Sequence, residues 1–301
     1  MADALGIKAP AADSRCTTCH APLHDVSQSL RGENFKVSEG VSCESCHGPA
    51  ENWIRSHTRK DYTRAGRTAA GIRDLQNLYV RANTCVACHQ NVDADILKAG
   101  HPELIFELDG QSVAEPKHWS AAKNGNGAQA WLVGQAVALR EMSWQLANEK
   151  SPTENQINHW NALVWLMQTT TPDSNLKMPP KTRAVTMAYA ASTLESESDE
   201  VASHFATADL PDIKTLKILS ALANSSESFR NNSVSQNLHA RRAERLVLAL
   251  DRLAAALPEL KNNEPAQSSL NQLFKLAQSV PDFDPKQFAD TLEKFSAALA
   301  H

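Results

Sequence analysis

The sequence predicts a mainly α protein in two parts. A loop-rich N-terminal domain spans about residues 14–120, and an all-helical C-terminal bundle spans about 130–301. Three observations predict this division. All six cysteines lie in the first third of the chain, the last of them at Cys88. Downstream, apolar residues recur at helical spacing rather than at the alternating spacing of strands. Between the two parts stands "AKNGNGAQ", residues 122–129, a stretch of turn-forming residues.

Composition bounds the class. Of 301 residues, 42% are hydrophobic and 21% charged, which is ordinary for a globular chain long enough for two domains. The formal charge of −4 leaves no basic face for nucleic acid. No apolar run approaches the roughly 18 residues that a membrane-crossing helix requires. The start, "MADALGIKAPAADSR", has neither the charged opening nor the apolar stretch of a secretory signal.

The cysteines carry the chemistry. They form three pairs of one spacing, Cys16/Cys19, Cys43/Cys46 and Cys85/Cys88, in "CTTCH", "CESCH" and "CVACH". A histidine follows each pair at once: His20, His47 and His89. A redox dithiol needs no histidine after it. A four-coordinate zinc site draws on an even number of pairs, so three pairs suit it poorly. C-x-x-C-H is the attachment signature of c-type haem. Two thiols add across the porphyrin vinyl groups, and the adjacent imidazole ligates the iron. The reading is therefore three haem c groups, held by those six cysteines, with His20, His47 and His89 on iron. Such attachment takes place outside the cytoplasm, so the mature protein is expected in the periplasm or an equivalent exported compartment.

Each iron has a second axial position. His57, His101 and His118 are the candidates, with His24 as a fourth. His57 follows the break made by Gly48 and Pro49. Pro102 and Pro116 stiffen the chain around His101 and His118. A ligand in a stiff frame loses little entropy on binding. His159, His204, His239 and His301 read as ordinary histidines.

Residues 14–120 allow about 35 residues per haem, too few for an apolar core of their own, so the porphyrins would serve as the core. Between the second and third motifs the chain is rich in cations: Arg55, Arg59, Lys60, Arg64, Arg67, Arg73 and Arg81. These form a solvated face, or pair with haem propionates.

Past the linker the helices follow in order. "AQAWLVGQAVALREMSWQLANE" carries apolar residues on more than one face, the mark of a helix buried all round. "QINHWNALVWLMQ" is a second, closed by "TTTPDSNLKMPP". "KTRAVTMAYAASTL" and "PDIKTLKILSALANS" follow. Leu246, Leu250, Leu253 and Leu257 fall on one helical face. So do Phe288, Leu292, Phe295 and Leu299, behind a helix-starting Pro285. The pattern gives about six or seven helices in a bundle. Its role is docking or oligomerisation. Trp119, Trp131, Trp144, Trp160 and Trp165 stand near the junction, as helix core or as packing against a haem face. Met142, Met167, Met178 and Met187 read as core filler rather than iron ligands.

The stretches "GVSCESCHGPAENW", "CVACH" with "AGHPEL", and "EPKHW" resemble the multihaem cytochromes of the cytochrome c-five-five-four-like family. The resemblance covers roughly residues 14–120. It implies a mostly helical, loop-rich protein whose close-packed haems pass electrons in single steps. It implies mainly bis-histidine iron, with distal ligands at His57, His101 and His118, and one five-coordinate haem in some members. A further C-x-x-C-H is usual in that family, whereas residues 121–301 hold no cysteine.

The expected function is single-electron transfer between a donor and an acceptor protein. The rivals are a haem enzyme with one open iron, acting on a small nitrogen, sulfur or peroxide substrate, and a subunit of a larger respiratory assembly.

Overall fold

The structure is a computed structural model. It describes residues 1–110, 127–172, 184–279 and 282–299, with backbone alone for 184–187. The chain is mainly helical, with no strand among the described residues. It divides into two compact units, Met1–Phe106 and Glu107–His301.

The first unit is built from short helices. They are α1 (Ser14–His20), α2 (Cys43–His47), α3 (Arg64–Ala69), α4 (Leu78–His89) and α5 (Ala94–Lys98). Each attachment motif lies at the C-terminal end of a helix, and local capping explains why. Asp13 accepts from the Arg15 amide at 3.0 Å and starts α1. Asn77 accepts from the amides of Tyr79 and Val80 at 3.0 and 3.3 Å and starts α4. The Ser42 amide donates to Ser45 Oγ at 3.1 Å at the head of α2. Few apolar side chains are buried in this unit: Ile7, Ala21, Trp53, Ala82, Val86 and Phe106.

The second unit is a helical bundle. Its described helices are α6 (Gly127–Asn148), α7 (Glu154–Thr170), α8 (Ala184–Thr207), α9 (Asp212–Ala223), the single-turn α10 (Glu227–Arg230), α11 (Gln236–Ala255), α12 (Glu264–Ala277) and α13 (Pro285–Leu299). The apolar girdle of α6 has its expected result: Trp131 to Leu139 are buried without a break. α6 packs chiefly on α8. Gln129 Nε2 donates to the Phe205 and Ala208 carbonyls at 2.8 Å, and Arg140 pairs with Asp199 at 2.7 Å. An early residue of α6 thus meets a late one of α8, so the two helices are antiparallel.

A Thr153–Gln156 capping box starts α7. α11 is the hub, packing on α6, α7, α9, α12 and α13. Its leucine stripe, Leu246, Leu250, Leu253 and Leu257, is fully buried, as the spacing requires. On α13 Phe288, Leu292 and Phe295 are buried and Leu299 is half-buried. The sequence reading did not single out α12, although Ala266, Leu270, Leu273 and Ala277 form its buried stripe. Trp131, Trp160 and Trp165 lie in the helical core, and Trp160 Nε1 donates to Ser143 Oγ at 2.9 Å. Met142 and Met167 are core as well, whereas Trp119 and Met178 lie outside the described residues.

The fit between α6 and the chain entering this unit is tight enough to test. A Cβ at the buried Gly134 would stand 2.8 Å from the Leu108 Cβ. Gly134→Ala is therefore expected to destabilise the bundle by about 1–3 kcal/mol, because the clash outweighs the helix-propensity gain of alanine. Urea unfolding of the second unit checks this, and a neutral or stabilising result would show that Leu108 moves aside freely.

Candidate haem-binding site

Helical spacing explains the motif. Cysteines at i and i+3 stand on one face a turn apart, and the histidine at i+4 follows on the same face. α1 presents Cys16, Cys19 and His20 in this way, α2 presents Cys43, Cys46 and His47, and α4 presents Cys85, Cys88 and His89. Cys43 is exposed and the other five cysteines are half-buried, and no disulfide joins any of them. Burial pushes the Cys88 thiol up to about 11, with Cys19 and Cys46 nearby adding to the effect. The second cysteines of the three motifs therefore share one neighbourhood. Among the described residues no group of three or more Cys, His, Asp and Glu is arranged to hold a metal ion by itself.

Three of the four candidate distal histidines share one feature that sequence did not reveal. His57 Nδ1 lies 2.6 Å from the Ile54 carbonyl, His101 Nδ1 2.8 Å from the Pro102 carbonyl, and His24 Nδ1 3.1 Å from the Ala21 carbonyl. A carbonyl can only accept, so each Nδ1 carries the proton. That leaves Nε2 as the nitrogen which a neutral ring in this tautomer offers to a metal. No residue pattern signals this, because the acceptors are backbone atoms.

His101 also faces a motif histidine. The ring centres of His20 and His101 are 6.4 Å apart, with their planes at 63°. Two imidazoles ligating one iron from opposite faces place their ring centres roughly 6 Å apart, given metal–nitrogen bonds of about 2 Å on each side. The His20–His101 ring separation is close to that spacing. His57 lies near its own motif instead. The ring of buried Trp53 lies 6.4 Å from that of His47 and 5.7 Å from that of His57, centre to centre. His118 lies outside the described residues. His24 sits in a loop held by Arg31, which donates to the Val26 and His24 carbonyls at 2.9 and 3.0 Å.

The second motif has a brace that sequence reasoning missed. Arg73 Nη1 donates to the carbonyls of Ser45 at 3.2 Å and Cys46 at 2.9 Å, and its backbone amide donates to the His47 carbonyl at 2.8 Å. Nothing in "AGIRD" marks Arg73 off from the other arginines around it.

Residues 2–48 match the family model described as Cytochrome c554 and c-prime. The match supports a c-type cytochrome family and points to haem c and electron transport. It takes in the first two motifs, through His47, and ends before the third. No curated protein and no solved structure matches the chain. No described helix is long and apolar enough to cross a membrane.

Proposed function

We propose that the chain is a periplasmic or otherwise exported multihaem c-type cytochrome, which passes single electrons between redox partner proteins through three covalently bound haems. The observation that carries this reading is the set of three helical C-x-x-C-H motifs, one of whose histidines, His20, lies 6.4 Å ring to ring from His101. Cys16 and Cys19, Cys43 and Cys46, and Cys85 and Cys88 would each hold one porphyrin by two thioethers. His20, His47 and His89 would be the proximal ligands. His101 would close the iron of His20, with His57 and His118 on the other two and His24 as the reserve. Bound there, haem supplies reversible one-electron uptake at iron. The residues' part is to fix each imidazole in one tautomer and exclude other ligands. The haem-bearing part corresponds to residues 14–120, and the helical part, 130–301, serves docking to a redox partner, self-association or incorporation in a larger complex.

Electronic absorption, EPR and mass measurement of the holo protein test the proposal. Three haems per chain with only low-spin iron are expected. His101→Ala should convert about one third of the iron to a high-spin form that binds carbon monoxide when reduced. A high-spin third in the parent protein would instead favour the rival, an enzyme with an open haem. Fewer than three haems would overturn the count.

A further inference from the structure

α2 is the shortest possible housing for an attachment motif. It has five residues, Cys43–His47, and its one described closing bond runs from the Gly48 amide to the Glu44 carbonyl at 2.9 Å. A helix end leaves its last carbonyls without partners inside the helix. Here those are the carbonyls of Ser45, Cys46 and His47, and a single residue satisfies all three. Arg73 reaches Ser45 and Cys46 with one guanidinium nitrogen and His47 with its backbone amide. The approach is close: a Cβ on Gly48 would stand 3.3 Å from the Gly71 carbonyl. Gly48 and Gly71 have φ of +82° and +93°, so the crossing is built on two left-handed glycines. The other arginines with described bonds in this unit point elsewhere, Arg15 to Asp13 and Leu5, Arg31 to Val26 and His24, Arg59 to Asp61, Arg64 to Asp74, and Arg81 to Leu75.

We infer that Arg73 is a positioning residue for the second centre: it fixes the peptide units around His47 and keeps a permanent positive charge beside them, which makes that centre easier to reduce. The inference rests on the haem reading above. Two physical arguments support it. The orientation of an imidazole follows the peptide units that carry it, and three hydrogen bonds from one residue leave those units little freedom. Reduction of ferric to ferrous iron adds one electron and lowers the charge of the centre by one, so a nearby fixed cation stabilises the reduced state. The cation cannot leave by deprotonation, because arginine stays charged at any working pH. Arg73 is exposed, so salt screens its effect.

The experiment is a spectroelectrochemical titration with EPR on holo Arg73→Gln and Arg73→Lys beside the parent. In Arg73→Gln one of the three one-electron transitions should move to lower potential, the other two should stay, and the difference should shrink as salt is raised. The low-spin EPR signature of one haem should change in both variants. Lysine keeps the charge but not the fork, so Arg73→Lys should recover most of the potential and not the signature. Three unmoved transitions, or three that move alike, overturn the inference. So does an Arg73→Lys protein identical to the parent in both readouts, which covers a Gln variant that fails to load its second haem. A parent with fewer than three haems would sink the haem reading instead, and mass measurement separates that case.

Discussion

Made without haem, the first unit is expected to lose its fold while the helical unit keeps its own. The buried apolar residues of Met1–Phe106 are Ile7, Ala21, Trp53, Ala82, Val86 and Phe106, two of them alanines. Burial at roughly 25 cal/mol per Å² from so few side chains cannot offset the backbone entropy of about a hundred residues, at about 1–2 kcal/mol each. Its helices run from five to twelve residues, too short to persist alone in water. In the proposed cytochrome the free energy of attaching the cofactor would therefore supply the folding free energy of this unit, as it does for small metal-dependent domains. A variant with all six cysteines changed to alanine should lose most of the helix signal of the first unit. Limited proteolysis should cut it throughout residues 1–106 and leave a resistant fragment starting near α6. The second unit has its own buried core in α6, α7, α11 and α13 and needs no cofactor. A full-length, protease-resistant chain without haem would show that the first unit folds on its own core.

The second large effect is a loss of stability in the helical unit as pH rises. Glu107 opens that unit, and its Oε2 is buried with no hydrogen-bond partner among the described residues. Burial pushes the Glu107 carboxyl up to about 8, and the neighbouring Asp109 pushes the same way. Arg245, Arg252 and the Gln135 amide, which donates to Oε1 at 2.9 Å, oppose this without overcoming it. Asp109 is raised too, chiefly by burial. The sign follows. Between the unfolded value near 4.5 and the folded value near 8, the folded state holds a proton that the unfolded state has released. Stability therefore falls with rising pH through that window, by up to about 4–5 kcal/mol for a shift of this size. Urea midpoints of the second unit at pH 5, 6, 7 and 8 should decline steadily. Glu107→Gln should remove most of the decline. A midpoint that climbs with pH, or a glutamine variant that keeps the slope, would show that Glu107 is ionised in the fold.

Arg245 stands in the same region: its Nε and Nη1 are buried with no hydrogen-bond partner among the described residues, and its Nη2 reaches Met142 Sδ at 3.5 Å. A buried charge so poorly partnered costs stability. Glu107 and Arg245 thus both bury polar atoms that have no hydrogen-bond partner among the described residues.

The parts legible in the sequence were those that depend on spacing. C-x-x-C-H fixes a chemistry within five residues, and the stripe at Leu246, Leu250, Leu253 and Leu257 fixes a face within three turns. The all-round apolar run of α6 announced its burial. Contacts between distant residues left no such trace. Arg73 meets its carbonyls 27 and 28 positions away. Glu107 in "FELDG" looks like the edge of a turn, and only packing by α6 and α11 buries it. The partner of His101 was equally hidden, since 81 positions separate it from His20. His118 lies outside the described residues, so its place in the ligand set rests on sequence.

The carbonyl anchors on His57 and His101 have a consequence for what these rings transport. Imidazole usually serves biology as a proton carrier near neutrality. Here one nitrogen donates to a main-chain oxygen, and in the proposed cytochrome the other is committed to iron. Such a ring would instead work as a strut held at both ends, and a relay built on such struts would hand on electrons with little rearrangement of the groups around each iron.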